Sequence, residues 1–227
     1  AVRMGRIIAS IHPESTKRSP PRKRASRARP CTGARAGPSG RLDRAIPAII
    51  FQGYLDRLQI EIVNTGSELM LGRVLNTHQQ WLCRQLSDAG YEVVRQVAVP
   101  DAAEAIGEAV EEALQRADLV LTTGGLGPTS DDLTRAEISR RLGLETHVDR
   151  GVLEVIEEFF RRRGREVLES VKVQALELEG AVVLPNAHGT APGLRIEVPS
   201  RARGGGRAAH VVLLPGPPRE LRPMFAE

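Results

Sequence analysis

The sequence predicts an α/β fold, a three-layer α/β/α domain with a mostly parallel sheet, preceded by a basic extension. The chain has 227 residues, of which 41% are hydrophobic, enough for one domain with an appendage. From residue 58 onward, short apolar runs alternate with amphipathic segments. Three strand and helix units in a row are typical of parallel strands that are joined by right-handed crossovers and covered by helices on both faces.

The extension, residues 1–57, holds thirteen Lys or Arg and three acidic residues. Its stretch 15–44 is rich in Arg, Ser, Pro, Gly and Ala, a composition that predicts disorder. It resembles a nucleic-acid-binding arm, a nuclear-type basic signal or a transit peptide. We favour a different interpretation, a mis-called start with translated upstream sequence. Residues 45–57 are more apolar, and their role cannot be read from the sequence.

Residues 58–227 form the predicted domain, with 19 basic and 25 acidic residues. The positive charge therefore belongs to the extension, and we expect no specific nucleic-acid binding by the domain. No apolar run approaches the roughly 18 residues of a membrane-spanning helix. Cys31 and Cys83 form no CxxC pair, which argues against a disulfide framework or a cysteine zinc site. We expect a cytoplasmic protein.

In the first half of the domain, three strands are predicted at 58–66, 91–99 and 118–125. The first and third are apolar runs that end at glycine, and the second is rich in valine. Helices are predicted at 81–90, from residue 102 to about 117, and at 133–143. In the first of these helices, Trp81, Leu82 and Leu86 share one face before Gly90, the pattern of an amphipathic helix that ends at a glycine.

In the second half, residues 152–164 and 166–178 have the spacing of two amphipathic helices. Strands are predicted at 181–186 and 210–216, and 193–198 is predicted as an antiparallel edge strand. Residues 200–209 have the composition of a flexible hairpin tip, and 217–227 that of a terminal helix.

Four loops that follow strands are candidates for the functional site, because ligands bind at the carboxyl ends of parallel strands. They span residues 64–72, 122–134, 184–193 and 214–220, and each combines glycine with Thr, Ser or Asn and little bulk, as backbone that approaches a phosphate requires. The predicted ligand-binding residues are Gly66, Asn76, Thr123, Gly124, Gly125, Gly127, Pro128, Thr129, Gly189, Thr190 and Gly216.

The richest loop reads TTGGLGPTSDDLT, at 122–134. It is neither a Walker A loop nor a Rossmann fingerprint. The missing side chain of Gly125 is expected to let backbone N–H groups approach a diphosphate. One of Asp131 and Asp132 can cap the following helix. Two adjacent acids beside a phosphate-sized loop are better explained by a divalent cation such as Mg²⁺ that bridges carboxylate and phosphate oxygens.

Other candidates carry weaker signals. Glu68 is predicted to position the metal or a water molecule, although it can equally cap a short helix, and Asn76 can serve only to start the helix through Trp81. His78 and His188 are expected to be solvated bystanders. Trp81 is expected in the core, and Arg219 is as compatible with the surface as with a phosphate.

The segments NTGSELMLGRVLNT, TTGGLGPTSDDLT, LPNAHGTAPG and LPGPPRELRPMF, in that order and spacing, resemble the N-terminal domain of the CinA family. This domain belongs to the wider MoaB/Mog group of molybdopterin-binding folds. The wider motif TGGxGxxxxDxT places its functional aspartate on Asp132, and Asp131 follows the narrower CinA pattern. The sequence departs from the pattern at Ala187, where Pro is usual, and at His78, where Asn is usual.

The resemblance implies a domain that binds a nucleotide diphosphate or molybdopterin. It also implies that the domain hydrolyses ADP-ribose-type substrates with the help of a divalent metal. The implied catalytic residues are Asp131, Asp132 and Glu68, and the implied metal ligands are Asp131 and Asp132. The alternatives are a molybdopterin-binding or adenylylating protein of molybdenum cofactor biosynthesis and a non-catalytic ligand-binding module. Full-length relatives usually add a nicotinamide mononucleotide deamidase domain, whose activity is not transferred to this chain. The chain is either a short member or a fragment. A homo-oligomer is expected, since related folds commonly self-associate.

Overall fold

The computed structural model describes residues 58–199 and 208–226, and its centre is a six-stranded sheet. Its strands, in spatial order, are β2 Val93–Val99, β1 Ile60–Thr65, β3 Leu119–Thr123, β8 Ala209–Leu214, β7 Gly193–Val198 and β6 Val182–Leu184. β1 pairs in parallel with β2 and β3, and β3 pairs in parallel with β8. The mostly parallel sheet is therefore confirmed. The predicted basic extension and most of the predicted hairpin tip lie outside the described residues.

Every residue of β1, β3 and β8 is buried, as expected of central strands that are covered on both faces of a parallel sheet. β7 was predicted as an edge strand, and this is wrong. It pairs antiparallel with both β8 and β6, and the edge is β6, which the sequence predicts as a strand without indicating its place in the sheet.

Helices cover both faces of the sheet. They are α1 Ser67–Met70, α2 Thr77–Asp88, α3 Ala103–Leu114, α4 Thr134–Leu142, α5 Arg150–Arg161, α6 Glu169–Lys172 and α7 Pro218–Ala226. One apolar cluster joins α2 and α7 to one face of the sheet through Leu86 and Phe225. A second cluster joins α3 and α4 to the opposite face through Val110 and Ile138. The predicted three layers are thereby confirmed. Among the described helices, none has the length and apolar character needed to cross a bilayer.

A small subdomain interrupts the main fold between α4 and β6. β4 Thr146–Val148 pairs antiparallel with β5 Leu176–Leu178, and α5, α6 and a 3₁₀ turn, Val173–Ala175, lie between them. The prediction of one helix over 166–178 is therefore wrong. Its apolar spacing fits a helix, but pairing with β4 holds the last three residues extended, because tertiary contacts override local preference. The subdomain has its own buried cluster, Ile156, Val171 and Ala175.

Candidate functional site

The four candidate loops meet at the end of the sheet where its parallel strands have their carboxyl ends. β1, β3 and β8 are parallel and all end on this side. β6 also ends there and β7 begins there, since Leu184 lies opposite Gly193 and Leu194 lies opposite Leu213. The structure thus brings together the loops at 64–72, 122–134, 184–193 and 214–220, as the sequence predicts for the carboxyl ends of strands.

Gly124 joins three of these loops by close backbone contacts. Its N–H donates to the Leu214 carbonyl at 3.0 Å, and its φ is 95°. A Cβ added to Gly124 would lie 2.5 Å from Thr65 Oγ1. A Cβ added to Gly216 would lie 3.6 Å from the Gly124 Cα. Glycine at 124 therefore serves both a left-handed backbone and a close approach to β1.

Beneath the loops lies a chain of buried polar groups that sequence reasoning missed. Thr123 Oγ1 donates to Asn64 Oδ1 at 3.1 Å, and Asn64 Nδ2 donates to the Val97 carbonyl at 3.3 Å. Thr65 Oγ1 donates to the Thr123 carbonyl at 3.1 Å. Thr123, predicted to bind ligand, is only 2% exposed, so its hydroxyl supports the sheet instead. The sequence feature that could have indicated these buried groups is the run of polar residues at the end of an apolar strand.

Gly125 makes room for the start of α4. Its φ is 67°, and an added Cβ would overlap with Thr134 Oγ1. The Thr134 N–H donates to the Gly125 carbonyl at 3.1 Å. The missing side chain therefore faces the helix. This differs from the expectation that it leaves space for a ligand.

The N–H groups of Gly125, Leu126 and Gly127 are free of hydrogen bonds to any of the described residues. By contrast, the N–H of Gly124 is used by β8 and that of Thr129 by Asp132. The loop predicted to bind phosphate thus has three consecutive free donors, and the rigid Pro128 follows them. Consecutive free N–H groups in a glycine-rich turn form an anion-binding concavity.

Asp132 is folded back onto this loop. Its Oδ2 accepts from the Thr129 N–H at 2.9 Å and from Thr129 Oγ1 at 2.6 Å. A Cβ added to Gly127 would lie 2.8 Å from Asp132 Oδ1. Asp132 does not cap α4, whose N-cap is Leu133 without a side-chain hydrogen bond. Asp132 Oδ1 accepts no hydrogen bond from the described part of the chain.

Asp131 points elsewhere. It is exposed, and its Oδ1 accepts from Ser130 Oγ at 3.3 Å. Within residues 58–199 and 208–226, no three His, Cys, Asp or Glu side chains are grouped to hold a metal ion. The donor set therefore fits a cation that binds one carboxylate, that of Asp132, and takes its other ligands from phosphates and water, as Mg²⁺ commonly does. Metal binding by Asp131 stays a prediction.

Glu68 lies in α1 beside the end of β1. It is exposed, and a Cβ added to Gly66 would lie 2.7 Å from its Oε1. The Gly66 N–H donates to the Val99 carbonyl at 3.0 Å. Ser67 is tied to Asp101 by two hydrogen bonds, at 2.8 and 3.1 Å. The loop that carries Glu68 is thus anchored to the end of β2.

Two candidate residues lie at the start of α2. Asn76 Oδ1 accepts from the Gln79 N–H at 3.0 Å and caps the helix, which is the structural alternative to ligand binding. His78 is half-buried and contacts Gly216, so it is not a solvated bystander. Burial, followed by the charge of Arg222, lowers the pKa of His78, and a hydrogen bond with the Gly216 backbone acts in the opposite direction.

Glu220 ties the 184–193 loop to α7, a role that sequence reasoning missed. Its side chain is buried, and its Oε2 accepts from Asn186 Nδ2 at 2.8 Å. The same Nδ2 donates to the Ala191 carbonyl at 2.8 Å. Gly189 packs directly against the Glu220 carboxylate. The predicted ligand residues Gly189 and Thr190 therefore lie in a loop that is fixed relative to the 214–220 loop.

Comparison with known proteins identifies the family. The family model described as "Probable molybdopterin binding domain" matches residues 61–227. A "CinA-like protein" of Akkermansia muciniphila is 43% identical over 170 residues, which are 75% of this chain and 39% of that protein. A "Putative competence-damage inducible protein" of Desulforamulus reducens is 45% identical over 168 residues, which are 74% of this chain and 39% of that protein. The chain thus spans about two fifths of the length of these curated relatives.

Among solved structures, the protein CinA of Thermoplasma acidophilum, described as having unknown function, is 30% identical. It aligns with a TM-score of 0.65 over 75% of this chain and 95% of its own. The match therefore extends over nearly all of that protein and most of the domain described above. The chain belongs to the molybdopterin-binding domain family, as one of its CinA-like members.

Proposed function

We propose that the domain binds a nucleotide diphosphate and hydrolyses its pyrophosphate bond with the help of a divalent cation, with ADP-ribose-type molecules as substrates. The observation that carries this proposal is the free Gly125–Gly127 backbone beside the fixed carboxylate of Asp132. Oxyanion donors and a carboxylate for a cation are what phosphoryl chemistry requires of a protein, since it depends on positioning and charge neutralisation.

The residues have separate tasks in this proposal. The N–H groups of Gly125, Leu126 and Gly127 hold diphosphate oxygens. Thr129 fixes Asp132 through Oδ2, and Asp132 Oδ1 would hold the cation. When bound, the cation neutralises charge on the phosphate oxygens. Glu68, exposed beside Gly66, orients the attacking water and accepts its proton.

Molybdopterin is the alternative ligand, and the family match favours it. Its phosphate can use the same free donors, and binding or adenylylation needs no net hydrolysis. A non-catalytic binding module would use the same loops again. The predicted homo-oligomer and cytoplasmic location belong to the proposal and are checked by sedimentation and by localisation of the full chain.

The deciding experiment incubates the full chain with ADP-ribose and Mg²⁺ and measures AMP by chromatography, with EDTA as the control. We expect AMP to accumulate and EDTA to abolish its release. In parallel, molybdopterin is titrated into the same preparation. Tight molybdopterin binding without AMP release would replace the hydrolase with the alternative. Binding of ADP-ribose without turnover would indicate a binding module.

A further inference from the structure

Arg135, in the first turn of α4, is a buried cation close to the candidate site. It is 7% exposed and lies three residues after Asp132, which precedes the helix. Its Nη1 donates to the Val173 carbonyl at 2.8 Å. Burial lowers the pKa of Arg135 to about 10, and the negative charge of Asp132 acts in the opposite direction. A guanidinium is seldom buried without an anionic partner, because loss of its hydration is costly.

One edge of this guanidinium is unused. Nε and Nη2 are both buried, and neither donates a hydrogen bond to any described residue. These two nitrogens form the edge with which arginine binds carboxylate and phosphate groups in a bidentate manner. Buried donors without partners are rare in folded proteins and call for a specific explanation.

A thin layer of the small subdomain covers Arg135. Val173, whose carbonyl holds Nη1, is 43% exposed on its outer side. The neighbouring Gln174 donates to the Leu126 carbonyl at 3.3 Å, and its Oε1 is buried without a partner. Val171 and Ala175 pack in the separate cluster of the subdomain. Residues 168–175, the cover segment, are linked to α4 and the glycine-rich loop by the hydrogen bonds at Val173 and Gln174.

We propose that Arg135 is an oxyanion-binding residue, and that its Nε and Nη2 edge takes one phosphate group of the diphosphate ligand when the cover segment moves away from it. This inference rests on the proposed function for the identity of the ligand, but it requires binding only and no hydrolysis. In this arrangement, one phosphate group of the diphosphate binds the free N–H groups of the glycine-rich loop, and the other binds Arg135 on α4.

The test is titration of inorganic pyrophosphate into the full chain by isothermal calorimetry. We expect Arg135→Met to bind at least about tenfold more weakly than the wild type. Arg135→Lys should lie between them, because an ammonium keeps the charge and loses the bidentate geometry. The matched control is Arg161→Met, which removes one exposed positive charge from α5 and should stay within twofold. Arg135→Met binding within twofold of the wild type would overturn the proposal.

A second measurement needs no variant and decides the matter even if Arg135→Met fails to fold. Hydrogen exchange of the wild-type amides is followed with and without saturating pyrophosphate. We expect faster exchange within residues 168–175 when pyrophosphate is bound, and unchanged exchange there would reject the moving cover. If pyrophosphate binding depends on Arg135 but ADP-ribose is not hydrolysed, the proposed hydrolase function is wrong and this inference stands. If ADP-ribose is hydrolysed but Arg135→Met binds pyrophosphate as the wild type does, the hydrolase function stands and this inference is wrong.

Discussion

Asp132 is the residue on which the proposed chemistry depends most directly. In Asp132→Asn, the amide oxygen can still accept both hydrogen bonds from Thr129, while the charge for the cation is lost. We expect turnover to fall by at least about 100-fold, the scale of losing a catalytic group, and stability to change by less than about 0.5 kcal/mol. AMP release and urea unfolding measure the two effects. Asp131→Asn, on the exposed neighbour, should be milder, and wild-type turnover in Asp132→Asn would remove that residue from the mechanism.

Gly125 and Gly127 form a matched pair with different expected defects. Gly125→Ala places a Cβ against Thr134 at a positive φ, so we expect a loss of stability of about 2 kcal/mol. Gly127→Ala directs its Cβ at the Asp132 carboxylate and has no positive φ to strain, so we expect weaker activity with a smaller loss of stability. Urea unfolding and nucleotide titration of both folded variants separate these effects. Equal stability losses would contradict the assignment.

At the site, the sequence predicted the glycine-rich loop and Asp132 because one continuous motif contains them. It could not predict Glu220 as the partner of Asn186, or Thr134 as the neighbour of Gly125, because these roles depend on contacts between separate elements. Gly125 is an example. The motif shows that a glycine is required there, but it does not show whether the missing side chain makes room for a ligand or for α4.

Among the elements, α4 is joined to α3 by Arg141, which also binds the buried carboxylate of Glu137 on α4. Hydrogen bonds from Arg140 and then Arg141 lower the pKa of Glu137 from 4.5 to about 2, although burial acts in the opposite direction. Arg141 also pairs with Glu104 and Glu111 on α3. Since the folded pKa is depressed, this stabilisation is complete above about pH 5 and is lost as the pH falls from 4.5 through about 2.

We therefore expect Glu137→Gln to be less stable than the wild type near pH 7, by about 1 to 3 kcal/mol, the range for hydrogen bonds to charged groups. The difference should shrink as the pH falls from 4.5 toward 2. Urea unfolding of both proteins across pH 2.5 to 7 measures it. A difference independent of pH would show that Glu137 stabilises the helix pair by packing and not by charge.

The strands and helices of the main sheet were predictable where one pattern ran without interruption. β1 and β3 lie in apolar-rich runs, and the sheet buries all of their residues. The small subdomain was not predictable in the same way. β4 is exposed at all three of its residues, and β5 exists only because it pairs with β4. Short strands that depend on each other leave no periodic signal in the sequence.

For the whole molecule, charge separates the basic extension from the domain. Residues 1–57 carry thirteen Lys or Arg against three acids, and residues 58–227 carry 19 against 25. We expect deletion of residues 1–44 to leave stability and ligand affinity unchanged and to remove any DNA binding. Binding by the full chain should weaken steeply as salt rises. Titration of duplex DNA at several salt concentrations tests this, and salt-insensitive binding by residues 58–227 would contradict it.

The order of the strands has a kinetic consequence. β8 pairs with β3 through contacts such as Leu119 with His210, which are very distant along the chain, and only this pairing brings Gly216 to Gly124. Pairings of such high contact order form slowly and late. During synthesis, the glycine-rich loop therefore leaves the ribosome long before the strand that completes its surroundings. A nascent chain should therefore begin to bind its ligand only after β8 has emerged, and any earlier folding intermediate should not bind it.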